Sequence, residues 1–438
     1  MMETAFGVRS TVRIILAGLG LAGAAAAQSL LPPGVLLLAR VKAHMRQELA
    51  RLPNCSCLET IHREHQSAGG TMRPLDTVRL EVLYSDRKEL YASPGDRGFS
   101  DSQPMDFVGS GSIGNGHFAL FLSEAVSEHG LAYEYKGEET LQGRRLARYD
   151  YRVPANLSGH IIRLPEGRGT VGGKGSFWAD PATYDIVHIS LEADDFPPEL
   201  PVRAYVTSID YAHTILSGTD FLLPQSADSR FTRFSGEESR NHIEFTHCHL
   251  YGAQSSVSFG DAHGFPQFGA SSVLEMNREL LPALPVVVKL STRITETTTV
   301  GALLEGVVEG NVLHKKNVLI PDGSPVRGRV RRLEWYDEKD GYFVVAVEFT
   351  EIEAAGTRYR FFADLEGTDP LPGLSRTTRT RPPPEKSPIR GGAETVYTSE
   401  DILFLPDLPG VGSFFVQARR LDLPPGFRTT WKTRALIP

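Results

Sequence analysis

The 438-residue chain has few cysteines, no excess of positive charge and, beyond its first thirty residues, no long apolar run. Three cysteines, Cys55, Cys57 and Cys248, are too few for a disulfide-built scaffold. A formal net charge of −7 gives no whole-molecule field to draw nucleic acid, so no nucleic-acid partner is expected. No later segment reaches the ~20 apolar residues of a spanning helix, so the mature form is not expected to span a membrane. His-Glu-x-x-His, the Gly-x-Ser-x-Gly elbow and the Walker loop are all missing. The reading therefore assigns no catalytic residue, no metal ligand and no cofactor. A strand–helix–strand rhythm is lacking too, which points to antiparallel rather than parallel sheet.

The N-terminus carries the clearest signal. Arg9 and Arg13 precede an uncharged run from Ile14 to Ala27 that ends in Ala25-Ala26-Ala27 before Gln28. This is the pattern of a secretory signal peptide over residues 1–27, so a periplasmic or secreted protein is expected. Export changes how the cysteines read, because thiols pair in an oxidising compartment. Cys55 and Cys57 are too close to pair along one strand, so one of them is expected to bond to Cys248. With 41% apolar and 23% charged residues the remainder should be globular, and its length suits two or three domains.

Gly34 to Leu52 repeats Leu38, Val41, Met45, Leu49 and Leu52 at helical spacing, and Pro53 stops it. The period then becomes two. Val78, Leu80, Val82 and Tyr84 alternate as a half-buried strand. His117 to Val126 is a second short helix with Phe118, Phe121, Leu122 and Val126 apolar. Phe177 and Trp178, the Asp180-Pro181-Ala182-Thr183 turn and Val187, Ile189 and Leu191 make the strongest hairpin. Strands at 204–213, 221–223, 229–234 and 242–259 continue the meander. Ala155–Gly175 and Glu192–Pro201 read as long loops. Residues 260–285 change texture and read as a linker. A second β-rich region over 286–438 has strands at Val286–Leu290, Gly301–Val312 and Val318–Ile320, then alternation at Phe343, Val345, Val347 and Phe349 and at Phe427, Thr429 and Trp431. Such spacing suggests a small barrel or sandwich. Residues 368–392 are rich in Pro, Arg and Thr and read as an extended insertion.

Candidate chemistry is sparse. Gly109, Gly111 and Gly114 match a dinucleotide spacing before the second helix, but no βαβ unit follows. His242, His247, Cys248 and His249 are the densest group of soft ligands. Strand alternation puts His247 and His249 on one face and His242 and Cys248 on the other, so the cluster splits. His62 and His65 need a remote partner to hold a metal. Asp194-Asp195 and Glu237-Glu238 read as solvated loop charge. Arg376, Arg379, Arg381, Lys386 and Arg390 read as a solvated basic linker.

Residues 34–259 resemble the LolA/LolB-like lipoprotein-carrier fold. The likeness is carried by the order of helix, strands, short helix and strands, and by Gly175-Ser-Phe-Trp-Ala-Asp-Pro-Ala-Thr-Tyr-Asp-Ile-Val-His-Ile189. Leu52-Pro53-Asn54 before Cys57, and Ile243-Glu244-Phe245 before Cys248, are similar to stretches of uncharacterised secreted bacterial two-domain proteins. That likeness implies a Cys57–Cys248 bridge with Cys55 left over. Val318-Leu-Ile-Pro-Asp-Gly-Ser-Pro-Val-Arg-Gly328 resembles the TrbI-like small β-barrel of type IV secretion proteins. The resemblance implies a mainly β protein with minor helix: a LolA-like antiparallel half-barrel with covering helices over 28–259, then a small β-barrel or sandwich over 286–438. The expected function is non-catalytic binding of a lipid or acylated ligand, with Val41, Met45, Phe118, Phe121 and Leu122 at the site. The alternatives are a structural module that joins a cell-envelope protein partner, and a hydrolase with an unrecognised site.

Overall fold

A computed structural model describes residues 31–96, 98–99, 104–108, 110–127, 131–164, 166–251, 278–337, 341–375 and 410–435. The expected signal peptide at residues 1–27, residues 260–277 of the expected linker and the basic residues from Arg376 to Arg390 lie outside the described residues. No helix among the described residues is long and apolar enough to cross a membrane.

The first region is a mainly β half-barrel. Helix α1 spans Pro33–Arg51 and α2 spans Leu120–Ala125. The strands are β1 Cys55–Gln66, β2 Arg73–Ser85, β3 Lys88–Ala92, β4 Tyr133–Leu141, β5 Arg144–Val153, β6 Ile161–Leu164, β7 Gly167–Thr170, β8 Gly172–Ala179, β9 Ile186–Asp194, β10 Val202–Leu216, β11 Thr219–Arg233 and β12 Glu238–Leu250. Ten of them form one antiparallel sheet in the order β3-β2-β1-β12-β11-β10-β9-β8-β5-β4. Period-two alternation decides which face is covered. Ile61, Val78, Leu80, Tyr149, Phe177, Ile189, Ile209 and Ile243 are all buried, and α1 packs Val41 and Met45 on them with no exposure. The Tyr149 hydroxyl donates to the Gly34 carbonyl at 2.7 Å, tying the start of α1 to β5.

Three expectations need correction. The helix expected over His117–Val126 is a single short piece, because Glu89 accepts the Gly116 and Phe118 N–H groups and holds that stretch as a loop. The segments at 221–223 and 229–234 are one strand, β11, in which Pro224 faces Tyr211 at a bulge. A bulge is where a central strand tolerates a residue without an N–H. The loop 155–175 contains the β6–β7 hairpin.

The second region is built on the long hairpin Pro325–Tyr336 and Tyr342–Ala354. Its sheet continues through Leu303–Val308, Pro285–Leu290, Arg428–Thr433 and Ala363–Thr368, while Val411–Val416 pairs with the other side of the hairpin. Trp431 is fully buried against Phe349 and Phe361, with centroids 5.4 and 6.2 Å away. Gly328, the last residue of the sequence motif, sits where an added Cβ would lie 2.0 Å from the Glu348 carbonyl oxygen. Only glycine admits that approach. Residues 278–285 pack with this region: Arg278–Glu279 pairs with Tyr359–Arg360, and Leu280 and Leu284 are buried.

The two regions meet along β2. Val78 bridges Val300, and the Val300 N–H donates to the Thr77 carbonyl at 2.8 Å. Beside this bridge lies a buried charge network. Arg63 grips Asp76 through two N–H groups, with Nε to Oδ1 at 2.6 Å. Across the junction Arg332 and the Tyr336 hydroxyl both donate to one oxygen of Glu334, each at 2.6 Å. Two cations and two anions balance, which is what burial of such groups requires. Arg63 and Arg332 hold Glu334 below the usual carboxylate range against the opposing effect of burial.

Candidate functional site

A cavity of about 310 Å³ opens beneath the β6–β7 hairpin, between α2 and the inner face of the sheet. Its apolar lining includes Phe121 of α2, Ile162 and Leu164 of β6, Leu191 and Ala193 of β9, and Phe231 of β11. Polar side chains share the lining: Ser112, Asn115, His160, Arg163, Tyr205, Ser229 and Asn241. A concave, mostly apolar space with a few polar groups is the usual make-up of a small-molecule site, at the lower end of its size range.

The hairpin that roofs the cavity is held at both ends. Near its tip, Arg233 at the end of β11 pairs with Glu166 and, at 3.4 Å, with Glu237. Glu237 is thus buried in an ion pair rather than solvated, a correction to the reading of that carboxylate. At the base, the Val171 N–H donates to the His160 carbonyl at 3.0 Å. The His160 imidazole meets Glu124 of α2 at 2.5 Å and lies tilted against Phe121, with ring centroids 4.8 Å apart. This pair joins the hairpin to α2 beside the cavity.

Of the residues expected at the site, Phe121 lines this cavity. Val41, Met45, Phe118 and Leu122 are fully buried in the packed core and are not among its lining residues. Phe118 stacks on Tyr84 at 5.9 Å and meets Phe245 edge-on at 5.7 Å. The lining residues on β6, β9 and β11 are the ones sequence reasoning missed. The run Ile161-Ile162-Arg163-Leu164 was the available signal, since four residues of that kind seldom lie in a solvated loop.

A second group lies deeper. Both carboxylate oxygens of Glu59 are buried without a hydrogen-bond partner. Burial first, and the charge of Glu89 second, push its pKa well above the ordinary value. His117 Nδ1 lies 3.8 Å away, and burial pushes its pKa down. Burial thus disfavours the charged form of both groups.

Cys57 and Cys248 form a disulfide with a Cα separation of 4.1 Å, while Cys55 is free and buried. Burial lifts the Cys55 thiol to about 12. Simple alternation would have turned Cys248 away from Cys57. A bulge between Ser56 and Leu58 of the ladder, with His247 at φ 52°, resets the parity and brings Cys248 across. The bulge also overturns the expected split of His242, His247, Cys248 and His249 by strand parity.

The remaining candidates disperse. His62 and His242 stack at 6.5 Å on the exposed face of the sheet, where Thr77 and Asp228 bind them, and both line a groove of about 570 Å³. His65 lies apart and half-buried. Gly111 packs against Leu75 and Arg63 at the junction of the two regions. Asp194 and Asp195 both pair with Arg152.

No family model matches the chain, and no curated protein matches it. Among solved structures it is similar to a DUF1329 family protein from Desulfovibrio piger, at 12% identity and TM-score 0.25, over 51% of this chain and 95% of that one. It is similar to a LolA superfamily protein from Nitrosomonas europaea, at 9% identity and TM-score 0.25, over 49% and 94%. It is also similar to ComB10 of the Com type IV secretion system of Helicobacter pylori, at 14% identity and TM-score 0.20, over 36% and 88%.

Proposed function

We propose that this is an exported, non-catalytic envelope protein that binds a lipid or acylated ligand in the cavity beneath the β6–β7 hairpin. The observation that carries the reading is the composition of that cavity. Protein interiors close-pack, and a space this size lined by Phe121, Ile162, Leu164, Leu191 and Phe231 departs from that rule. Transfer of acyl carbons into it contributes about 0.8 kcal/mol per methylene buried, which drives binding without any charged partner. Arg163 and His160 in the lining suit the polar end of such a ligand. A signal segment and a disulfide both fit the oxidising periplasm or exterior.

A second reading is a structural module that joins envelope proteins. What favours it is the packing of Val41, Met45, Phe118 and Leu122 as ordinary core under α1. Native purification, organic extraction and mass spectrometry separate the two readings. A lipid or acyl species recovered in near-stoichiometric amount supports the carrier reading. Extracts with no such species, together with no uptake of added fatty acid, support the structural module.

A further inference from the structure

We infer that the second region controls the ligand cavity of the first by holding its wall. The inference rests on the cavity proposed above as the binding site. One wall is made by residues 104–108 and 110–115, of which Pro104, Met105, Ser112, Ile113, Gly114 and Asn115 line the space. These residues have little secondary structure of their own: one 3-10 turn at Pro104–Phe107, and irregular chain over 110–115. An irregular stretch keeps its shape only through contacts made by its neighbours.

Both regions supply those contacts. The Tyr336 hydroxyl gives its one proton to Glu334, so the Ser110 hydroxyl must donate to the Tyr336 oxygen, 3.0 Å away. Arg331 donates to the Asp106 carbonyl at 3.4 Å and lies 6.0 Å from the centroid of the Phe107 ring. From the first region, Arg63 donates to the Ser110 carbonyl, and Asn241 donates to the Ser112 carbonyl at 3.0 Å. Arg63 is itself set by Asp76 and faces Glu334 at 4.0 Å. The wall is thus pinned at Asp106 and Ser110 by a hairpin that does not line the cavity. A shift of that hairpin moves Ser110, and Ser112 lies two residues on. A partner that engages the second region would tighten or release the ligand by this route.

Two variants test the coupling in the full chain. Tyr336→Phe removes the hydroxyl that receives Ser110, and Arg331→Ala removes the exposed contact to Asp106 while leaving the buried network intact. Hydrogen exchange across residues 104–115 and the affinity for a fluorescent fatty acid are read in each. Faster exchange in this segment, with affinity weaker by about fivefold or more, is the expected result. Unchanged exchange and unchanged affinity in both variants would overturn the inference. Faster exchange in a protein whose wild type takes up no fatty acid would support the wall contact and reject the carrier reading, so the two failures differ. If Tyr336→Phe does not fold, Arg331→Ala alone decides.

Discussion

Replacing Glu59 by Gln should remove a pH dependence that the wild-type fold carries. Glu59 is 1% exposed, and neither of its carboxylate oxygens has a hydrogen-bond partner. Its pKa in the fold stands well above the ordinary 4.5. Below 4.5 both folded and unfolded chains hold the proton, and the group has no effect. Above 4.5 the unfolded chain releases the proton and the folded one keeps it, so stability falls by about 1.4 kcal/mol per pH unit until the folded pKa is passed. Gln cannot ionise, so this slope vanishes in Glu59→Gln. His117 works in the opposite sense. Its pKa lies below the usual 6.5, so the unfolded chain takes up a proton that the fold refuses, and stability drops as pH falls below 6.5. That contribution is present in both proteins and largely cancels in their difference. Urea unfolding midpoints measured from pH 5 to 8 provide the assay. The variant should gain on the wild type as pH rises, by at most about 1.4 kcal/mol per unit and only until the folded pKa is passed. Parallel curves for the two proteins would refute the account of Glu59 as a buried neutral acid.

Phe118→Ala should destabilise the protein by about 3–5 kcal/mol in denaturant melts, as for other fully buried phenylalanines, whereas Phe121→Ala, which has the cavity on one side, should cost about 2 kcal/mol. Equal losses would mean that Phe121 is ordinary core. Cys57→Ser opens a bridge across 191 residues and should lower stability by about 5 kcal/mol in the chain-entropy model, seen as a fall in Tm under non-reducing conditions. A wild type that keeps its Tm in reductant would contradict this. A fragment beginning at Arg278 should show β-type circular dichroism and cooperative unfolding, because its sheet has its own buried centre at Trp431; an aggregated product would show that the two regions fold only together.

Much of the architecture was legible because it rests on period. The alternation at Val78, Leu80 and Val82 and the helical spacing from Leu38 to Leu49 each follow from one side facing a core. The turn at Asp180 was legible from chemistry, since its side chain accepts the Ala182 N–H at 2.8 Å. What the sequence hid depends on remote partners. The bulge at His247 leaves no local mark, yet it decides which face Cys248 takes. The second helix shrank because Glu89, on a distant strand, captures the N–H groups of Gly116 and Phe118. Of the five residues expected at the site, Phe121 alone lines the cavity. Phe121 was found because it is apolar at helical spacing, but so are Val41, Met45, Phe118 and Leu122, and periodicity cannot tell a cavity wall from a filled core. Nothing local marks Arg63, Asp76, Arg332 and Glu334 as buried charges; their side chains are enclosed where the two regions meet.

The most direct test of the central claim is binding of a fluorescent fatty acid to the wild type and to Ala193→Phe. Ala193 lines the cavity from β9, and a phenyl group there fills space without touching the buried network at the junction. Saturable binding by the wild type, with loss of that binding in a variant that keeps its circular dichroism and Tm, is the result this account predicts. Equal binding by both proteins would place the ligand elsewhere, and no binding by the wild type would show that the cavity carries no lipid.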